Sequence, residues 1–187
     1  ATLPQKRTRE ALFSALVSIV VSQQLGVAAA DTIFKRVKAA CGGKITPTSV
    51  LKVQEASLAK AGLSGAKSKT IKEIARAVQA GSLDLLALKR VPELEAAEKL
   101  TAIWGLGPWS VEMFMMFALG RADVFSAGDL GLIRAMEKIY ALPKNAPRPS
   151  LLAIAEKWSP YRTYACLLLW RSRDALPKTL AKGRHRS

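Results

Sequence analysis

The sequence has few of the residues that build metal centres. It contains two cysteines, Cys41 and Cys166, and one histidine, His185. Zinc and iron–sulfur sites need clusters of cysteine or histidine at short spacings such as C-x2-C, and this sequence has none. The sequence therefore predicts that there is no iron–sulfur cluster. His185 lies in a basic C-terminal stretch and is a poor candidate for chemistry.

Long apolar runs and alternating apolar–polar segments are also missing. The longest apolar stretches, residues 15–21 and 113–119, are too short to span a bilayer, and no signal-peptide pattern is visible. We therefore expect an intracellular protein without a membrane partner. With only two cysteines, a reducing compartment is the default expectation.

Helical periodicity fills most of the chain. Apolar residues recur at spacings of three and four, which predicts an all-α fold with short connections. Glycines at 42–43, 62 and 81 end three of the predicted helices. The expected helices are residues 9–24, 27–40, 48–61, 68–79, 92–103, 109–119, 129–140, 150–158 and 161–171. Residues 177–187 are basic and poor in apolar side chains, and we expect them to be flexible.

Acidic residues are scarce relative to basic ones. The chain has 29 Lys and Arg against 14 Asp and Glu, a net charge of +15. Such an excess attracts polyanions, because Lys and Arg contacts to phosphates release condensed counterions. The basic residues are spread from Lys6 to Arg186 instead of lying on one amphipathic segment, which favours nucleic acid over a membrane surface. Charge alone leaves open a basic protein with no polyanionic partner.

The segment LTAIWGLGPWSVEM, residues 100–113, is the most informative in the chain. A predicted helix ends before Gly105-Leu106-Gly107, and a second helix opens with Pro108. Two glycines allow a sharp turn and a close approach to a ligand, and the N–H groups of the new helix favour an anion such as a DNA phosphate. Leu106 should pack inward and close the hairpin. An ordinary connection between two helices is the alternative, since G-x-G alone is a weak signal.

Three further segments carry a family resemblance. The hairpin is followed by VFSAGDLGL (residues 124–132), and the combination resembles the helix-hairpin-helix Gly/Pro-Asp DNA glycosylase superfamily, with Asp129 in the place of its catalytic aspartate. KWSPYRTYACLLLW (residues 157–170) and IVVSQQL (residues 19–25) resemble the bacterial 3-methyladenine DNA glycosylase II family in particular. The resemblance covers residues 9–172.

The resemblance implies an architecture and a partner. It implies a single glycosylase domain over residues 1–187, all-α, with two helical lobes, a DNA-binding cleft and a helix-hairpin-helix motif. The central lobe would span about 26–131, and the N- and C-terminal helices would build the other. From the resemblance we expect the compact form, without the N-terminal β-rich lobe of longer family members. The expected partner is double-stranded DNA with damaged bases, bound by a monomer, in the cytoplasm or nucleoid of a bacterium.

Asp129 is the candidate catalytic residue. Cleavage of a glycosidic bond builds positive charge on the sugar, and a carboxylate near C1′ stabilises that charge and orients or deprotonates the attacking water. From periodicity alone, an Asp that opens a helix is more readily a helix N-cap than a catalytic residue, and both roles are compatible. The resemblance favours catalysis. In place of the family's usual Pro and Asp before this residue the chain has Ser126, Ala127 and Gly128, and Gly26 stands where a serine is common.

The resemblance also implies a base pocket and a gap-filling segment. Trp170 matches the family's pocket tryptophan, and Trp109 and Met113 should lie near it, although each could simply be a core residue. An aromatic face recognises a cationic alkylated purine, and the base must leave the stack to reach it. Gln24 and Leu25 match the segment that fills the vacated space. A solvent-exposed or capping glutamine is the alternative at position 24.

Trp109 also occupies the position at which bifunctional relatives carry a lysine nucleophile. Without an amine no Schiff base forms, so the resemblance implies monofunctional hydrolysis of alkylated purines, 3-methyladenine and 7-methylguanine, without a catalytic cofactor. The family hairpin holds a structural Na⁺ or K⁺ through backbone carbonyls, here those of Thr101, Ile103 and Leu106. A glycosylase for another lesion (hypoxanthine, uracil or a mismatched base) and a non-catalytic DNA-binding module remain alternatives.

Overall fold

The computed structural model describes the backbone of residues 8–174 and the side chains of residues 8–172. Within that range the chain forms ten α-helices, one 3₁₀ turn and one π-helical turn, without a β-strand. The predicted all-α fold is confirmed. The predicted flexible segment 177–187 lies outside the described residues. The α-helices are α1 (Arg9–Ser22), α2 (Val27–Ala40), α3 (Pro47–Lys52), α4 (Glu55–Lys60), α5 (Gly65–Gln79), α6 (Glu93–Thr101), α7 (Pro108–Phe114), α8 (Leu130–Ile139), α9 (Arg148–Glu156) and α10 (Arg162–Asp174).

Local capping fixes where several helices begin and end. α1 starts after Thr8, whose side-chain oxygen accepts the Ala11 N–H at 3.2 Å. α2 stops at the predicted glycine pair, where the Gly43 N–H donates to the Lys38 carbonyl at 2.9 Å. The φ angles of Gly42 and Gly43 are +72° and +86°, in the left-handed region that favours glycine. The sequence signal for this stop is therefore confirmed.

Two predicted helices differ from the prediction. Residues 48–61 form two helices instead of one, because Val53 and Gln54 are extended between α3 and α4. α3 packs against α5, whereas α4 packs against both α2 and α5. The predicted helix 109–119 begins as α7 and ends as the π-helical turn Met115–Leu119, which Gly120 terminates at a φ of +73°.

Residues 8–121 form one compact unit. α1 lies at its centre and packs against α2, α5 and α7. Six of its apolar side chains have no exposed surface, so the helix is buried on most of its circumference. They are Leu12, Phe13, Leu16, Val17, Val20 and Val21.

Residues 122–174 belong to a second compact unit. α8 packs against α10, and the loop before α8 is held by aromatic contacts. Phe125 meets the Trp158 ring edge-on at 5.7 Å between centroids, and the Trp158 indole N–H donates to the Tyr140 hydroxyl at 3.2 Å. The predicted lobe limits of 26–131 stay a prediction. None of the helices between residues 8 and 174 combines the length and apolar character that a bilayer crossing requires.

Candidate active site

The predicted hairpin is present between α6 and α7. Gly105 has a φ of +86°, Gly107 is the N-cap of α7, and Pro108 occupies its first turn. Leu106 is buried, with 4% of its surface exposed, and its N–H donates to the Ile103 carbonyl at 3.1 Å. The inward packing expected of Leu106 is therefore confirmed.

The two hairpin glycines meet different constraints. A Cβ at Gly105 would overlap the Thr70 hydroxyl of α5 and lie 2.9 Å from two further carbons of that side chain. A Cβ at Gly107 would have no atom within 4 Å. Gly105 is therefore required by internal packing and by its left-handed φ, whereas Gly107 keeps the surface at the start of α7 open.

Gln23 ties the end of α1 to this hairpin. Its side-chain amide donates to the Gly105 carbonyl at 3.1 Å and to the Ser110 hydroxyl at 2.8 Å. Ser110 is a buried residue of α7. Gln23 was not predicted as a site residue, because no local pattern shows that a residue at a helix end bonds a turn 82 positions away. The only available signal was the Gln-Gln pair itself.

The predicted gap-filling residues lie on a tight turn directly after α1. Gln23 has φ −49° and ψ 126°, Gln24 has φ +57°, and the Leu25 N–H donates to the Ser22 carbonyl at 3.1 Å. These angles describe a type II turn, in which the third position usually requires glycine or asparagine. Gln24 occupies that position, and Leu25 is 39% exposed. A strained non-glycine residue of this kind is typical of functional sites.

Trp109 lies between two open cavities in the unit of residues 8–121. One, of about 520 Å³, is lined by Gln24, Lys67 and the start of α7, and the other, of about 360 Å³, is lined by Leu25 and residues of α1 and α2. Trp109 borders both. Met113 is buried, with 6% of its surface exposed, so its side chain belongs to the core of this unit. The structure therefore brings Trp109 together with Gln24 and Leu25.

Asp129 is the N-cap of α8 and is half-buried. Its Oδ1 accepts the Leu132 N–H at 2.8 Å and the indole N–H of Trp170 at 3.0 Å. The N-cap interpretation is thus correct, and it does not compete with a chemical role. Trp170 is 41 residues away in sequence, and the fold of this unit brings these two predicted site residues into direct contact. Two donors on one oxygen fix the orientation of the carboxylate.

A second aspartate anchors the loop that leads to Asp129. The Arg162 guanidinium donates to both carboxylate oxygens of Asp123, at 2.8 and 3.1 Å, and the Arg162 N–H and the Ser159 hydroxyl add bonds of 3.1 and 2.9 Å. The Arg162 guanidinium, more than any other cause, holds the pKa of the Asp123 carboxyl below its usual range, although partial burial opposes this. These residues were not predicted, because they lie 36–39 positions apart.

Thr163 holds the same loop through its backbone. Its N–H donates to the Ala122 carbonyl at 3.0 Å, and its buried hydroxyl bonds both the N–H and the carbonyl of Val124. Further along, the Asp129 N–H donates to the Ser126 carbonyl at 3.2 Å and closes a turn. The first turn of α10 therefore fixes the start of the loop, and the last described turn of the same helix supplies Trp170 to its end.

Comparison with known proteins identifies the family. Residues 17–160 match the model of the HhH-GPD superfamily base excision DNA repair protein. The chain belongs to this superfamily. The resemblance predicted from the hairpin and Asp129 is confirmed at this level.

Individual relatives agree with the family match. The putative DNA-3-methyladenine glycosylase YfjP of Bacillus subtilis is 29% identical, over 86% of this chain and 58% of its own length. DNA-3-methyladenine glycosylase 1 of Schizosaccharomyces pombe is 33% identical, over 86% of this chain and 72% of its own length. The chain therefore spans little more than half of the B. subtilis relative.

Solved structures of the superfamily share the fold. The crystal structure of the DNA-3-methyladenine glycosidase of Bacillus halodurans matches with a TM-score of 0.80 and 39% identity, over 94% of this chain and 80% of that one. The S. pombe 3-methyladenine DNA glycosylase in complex with abasic DNA matches with a TM-score of 0.82 and 31% identity, over 93% and 87%.

The superfamily hairpin suits a monovalent cation held by main-chain oxygens. Thr101 is the last residue of α6, and helix-terminal carbonyls lack intrahelical partners. The Ile103 carbonyl accepts one N–H, from Leu106, and a carbonyl oxygen has a second lone pair. The oxygens of Thr101 and Ile103 thus fit the expected role, whereas the role of the Leu106 oxygen and the cation itself stay predictions. Within residues 8–174 no three His, Cys, Asp or Glu side chains group as metal ligands.

Proposed function

We propose that this HhH-GPD protein is a monofunctional DNA glycosylase that hydrolyses the N-glycosidic bond of alkylated purines, in particular 3-methyladenine and 7-methylguanine. The observation that carries the proposal is the Asp129 carboxylate, half-buried and oriented by Trp170 and the first turn of α8. Support comes from relatives named 3-methyladenine glycosylases and from a structural neighbour that binds abasic DNA.

The proposed reaction uses water and a carboxylate. The bond between C1′ and the purine nitrogen breaks, and its electron pair leaves with the base, which was cationic and departs neutral. Positive charge develops on the sugar, where Asp129 stabilises it. Water then attacks C1′ and gives its proton to Asp129 or to solvent, which leaves an abasic site. No cofactor takes part in these steps.

The two tryptophans have separate proposed roles. Trp170 would hold Asp129 through its indole N–H and offer a ring face to the cationic base. Trp109 would be a second aromatic side chain for recognition of the base. It borders the same two cavities as Gln24 and Leu25, which we propose fill the gap left by the everted nucleotide. Met113 would support Trp109 from the core. The open face at Gly107 would bind a backbone phosphate.

We further propose that the protein acts as a monomer on double-stranded DNA, and in a bacterium in the cytoplasm or nucleoid, where that substrate lies. The net charge of +15 supports contact with phosphates. Light scattering after size-exclusion chromatography, with and without a lesion duplex, would measure the molar mass and so test the proposed monomeric state.

The test is a base-release assay on duplexes that each carry one defined lesion. The wild type should release alkylated purines, and Asp129→Asn should lose about 10²-fold or more in kcat while it still binds DNA. Glu156→Gln is the matched control, an exposed carboxylate in α9 of the same unit, and should be unaffected. Full turnover by Asp129→Asn would show that Asp129 is not the catalytic residue and would refute the proposed mechanism.

Further arms of the same assay separate the alternatives. Release of hypoxanthine, uracil or a mismatched base without alkylpurines would change the substrate class. Binding without any release would leave a DNA-binding module. Borohydride should trap no covalent complex with the wild type, because Trp109 supplies no amine. A trapped complex would show a lyase step.

A further inference from the structure

The turn that carries Gln24 and Leu25 has an unusual amount of support from neighbouring elements. On one side the Gln23 amide donates to the Gly105 carbonyl and to the Ser110 hydroxyl. Both acceptors belong to the hairpin and the first turn of α7. The Gln23 side chain therefore links the turn to the hairpin and to α7, the two elements proposed to hold a phosphate.

Lys67 supports the same turn from α5. Its ammonium donates to the Val21 carbonyl at 2.8 Å and to the Gln23 carbonyl at 2.7 Å. Helix C-termini leave carbonyls without intrahelical partners, and a cation there is favourable. Partial burial lowers the pKa of Lys67 below its usual range.

The support matters because the turn itself is strained. Gln24 adopts a φ of +57°, which non-glycine residues rarely take, and no glycine relieves it. Without external bonds, residues 22–25 would relax to a more common backbone conformation, and the Gln24 and Leu25 side chains would point elsewhere. α5 also places Thr70 against Gly105. The turn and the hairpin therefore both contact α5, the turn through Lys67 and the hairpin through Thr70.

We propose that Gln23 and Lys67 are positioning residues that hold the 22–25 turn in register with the hairpin. The Gln24 and Leu25 side chains are then oriented toward the DNA gap before the DNA binds. This inference deepens the proposed function and rests on it. The two residues do not touch the reacting atoms. Their loss should weaken recognition of the gap more than general DNA binding, because the packing of Thr70 against Gly105 still constrains the hairpin when the bonds to the turn are lost.

The experiment compares two duplexes of one sequence, one intact and one with a tetrahydrofuran abasic analogue. Gln23→Leu keeps the size of the side chain and removes both donors. The affinity for the abasic duplex should fall about tenfold, while that for the intact duplex stays within about twofold. A 2-aminopurine base opposite the analogue should show a smaller fluorescence change, since fewer side chains enter the gap.

Matched variants separate positioning from folding. Gln79→Ala removes an exposed glutamine at the end of α5 and should leave both affinities unchanged. Ser110→Ala and Lys67→Met remove bonds from the other ends of the network. They should lower the same preference, and Ser110→Ala should be non-additive with Gln23→Leu. These two variants also test the proposal if Gln23→Leu does not fold.

The outcomes are distinct. A parallel loss of both affinities, or no loss in any of the three variants, would overturn the positioning role. A wild type that neither prefers the abasic duplex nor releases a base would instead overturn the proposed function. A wild type that does both, with variants that do not differ from it, would refute this inference alone.

Discussion

The hairpin and the loop that precedes Asp129 hold their backbones in different ways. In the hairpin the decisive constraint is steric, because Gly105 has a left-handed φ and the Thr70 side chain fills the place of a Cβ. In the loop of residues 122–129 the constraint is a set of polar bonds, in which Asp123 and Thr163 join the loop to α10. The hairpin therefore depends on the missing side chain at Gly105, and the loop depends on hydrogen bonds from several side chains.

The difference suggests separate requirements. A phosphate-binding turn must bring its main chain close to a ligand, and small residues permit that approach. A carboxylate that stabilises a developing charge must instead be held in a defined orientation, and hydrogen bonds can hold it there. We therefore expect substitutions in the hairpin to act through packing and main-chain access, and substitutions around Asp129 to act through orientation and pH.

The largest effect should come from Gly105→Ala. The added methyl group would overlap Thr70, and the left-handed φ would be strained, so we expect a loss of about 3 kcal/mol or more in stability. For a chain of this size that corresponds to a Tm lower by about 6–12 °C. Thermal unfolding by circular dichroism measures it.

Gly107→Ala is the control that sharpens this prediction. Its methyl group meets no protein atom, so stability should change by less than about 0.5 kcal/mol. The affinity for intact duplex should nevertheless fall, by about tenfold, because the methyl group would stand where a phosphate approaches the main chain. Equal losses of stability in the two variants would contradict the distinction between the glycines.

A smaller effect is expected from Asp123→Asn, and it should depend on pH. The Arg162 guanidinium lowers the pKa of the folded-state carboxyl below that of the unfolded chain, which is about 3.9. The stabilisation is therefore complete above the unfolded pKa and is lost as pH falls through the folded one. Near pH 7 the variant should be less stable by about 2 kcal/mol, since it loses charge-assisted hydrogen bonds.

Denaturant titrations of both proteins between pH 7 and pH 2.5 measure this prediction. The difference in unfolding free energy should be constant down to about pH 5 and should shrink below about pH 4. Other carboxylates, such as Glu137, whose pKa the Arg134 guanidinium chiefly lowers, affect both proteins equally and cancel in the comparison. A difference that does not change with pH would show that Asp123 acts through packing alone.

The contrast between the two regions also explains what could be read from the sequence. Gly105, Gly107 and Pro108 are local signals, so the hairpin and the helices around it were predicted with small errors at their ends. The start of α8 at Asp129 followed from the N-cap preference of aspartate. In each case a single residue type restricts its own backbone, and no knowledge of distant contacts is needed.

Signals that depend on distant partners were missed. Gln23 bonds a turn 82 residues away, and Asp123 pairs with Arg162 at a separation of 39. The break at Val53 and Gln54 contains neither glycine nor proline, so no local signal in the sequence marks it. The contact of Trp170 with Asp129 was also not predicted, because the sequence indicated a place for this tryptophan in the base pocket or in the core.

The smallest expected effect is Trp170→Phe, which tests whether orientation of Asp129 matters apart from its charge. Phenylalanine keeps an aromatic face for the base but removes the donor to Asp129 Oδ1, while the Leu132 N–H remains. We expect kcat for alkylpurine release to fall about tenfold, with KM and Tm almost unchanged, because one charge-assisted bond is lost. Trp158→Phe removes an indole donor to Tyr140 in the same unit and should leave kcat intact. An equal fall in kcat for both variants would show that the effect comes from packing of the unit. A rise in KM alone for Trp170→Phe would show that Trp170 binds the base and does not orient the carboxylate.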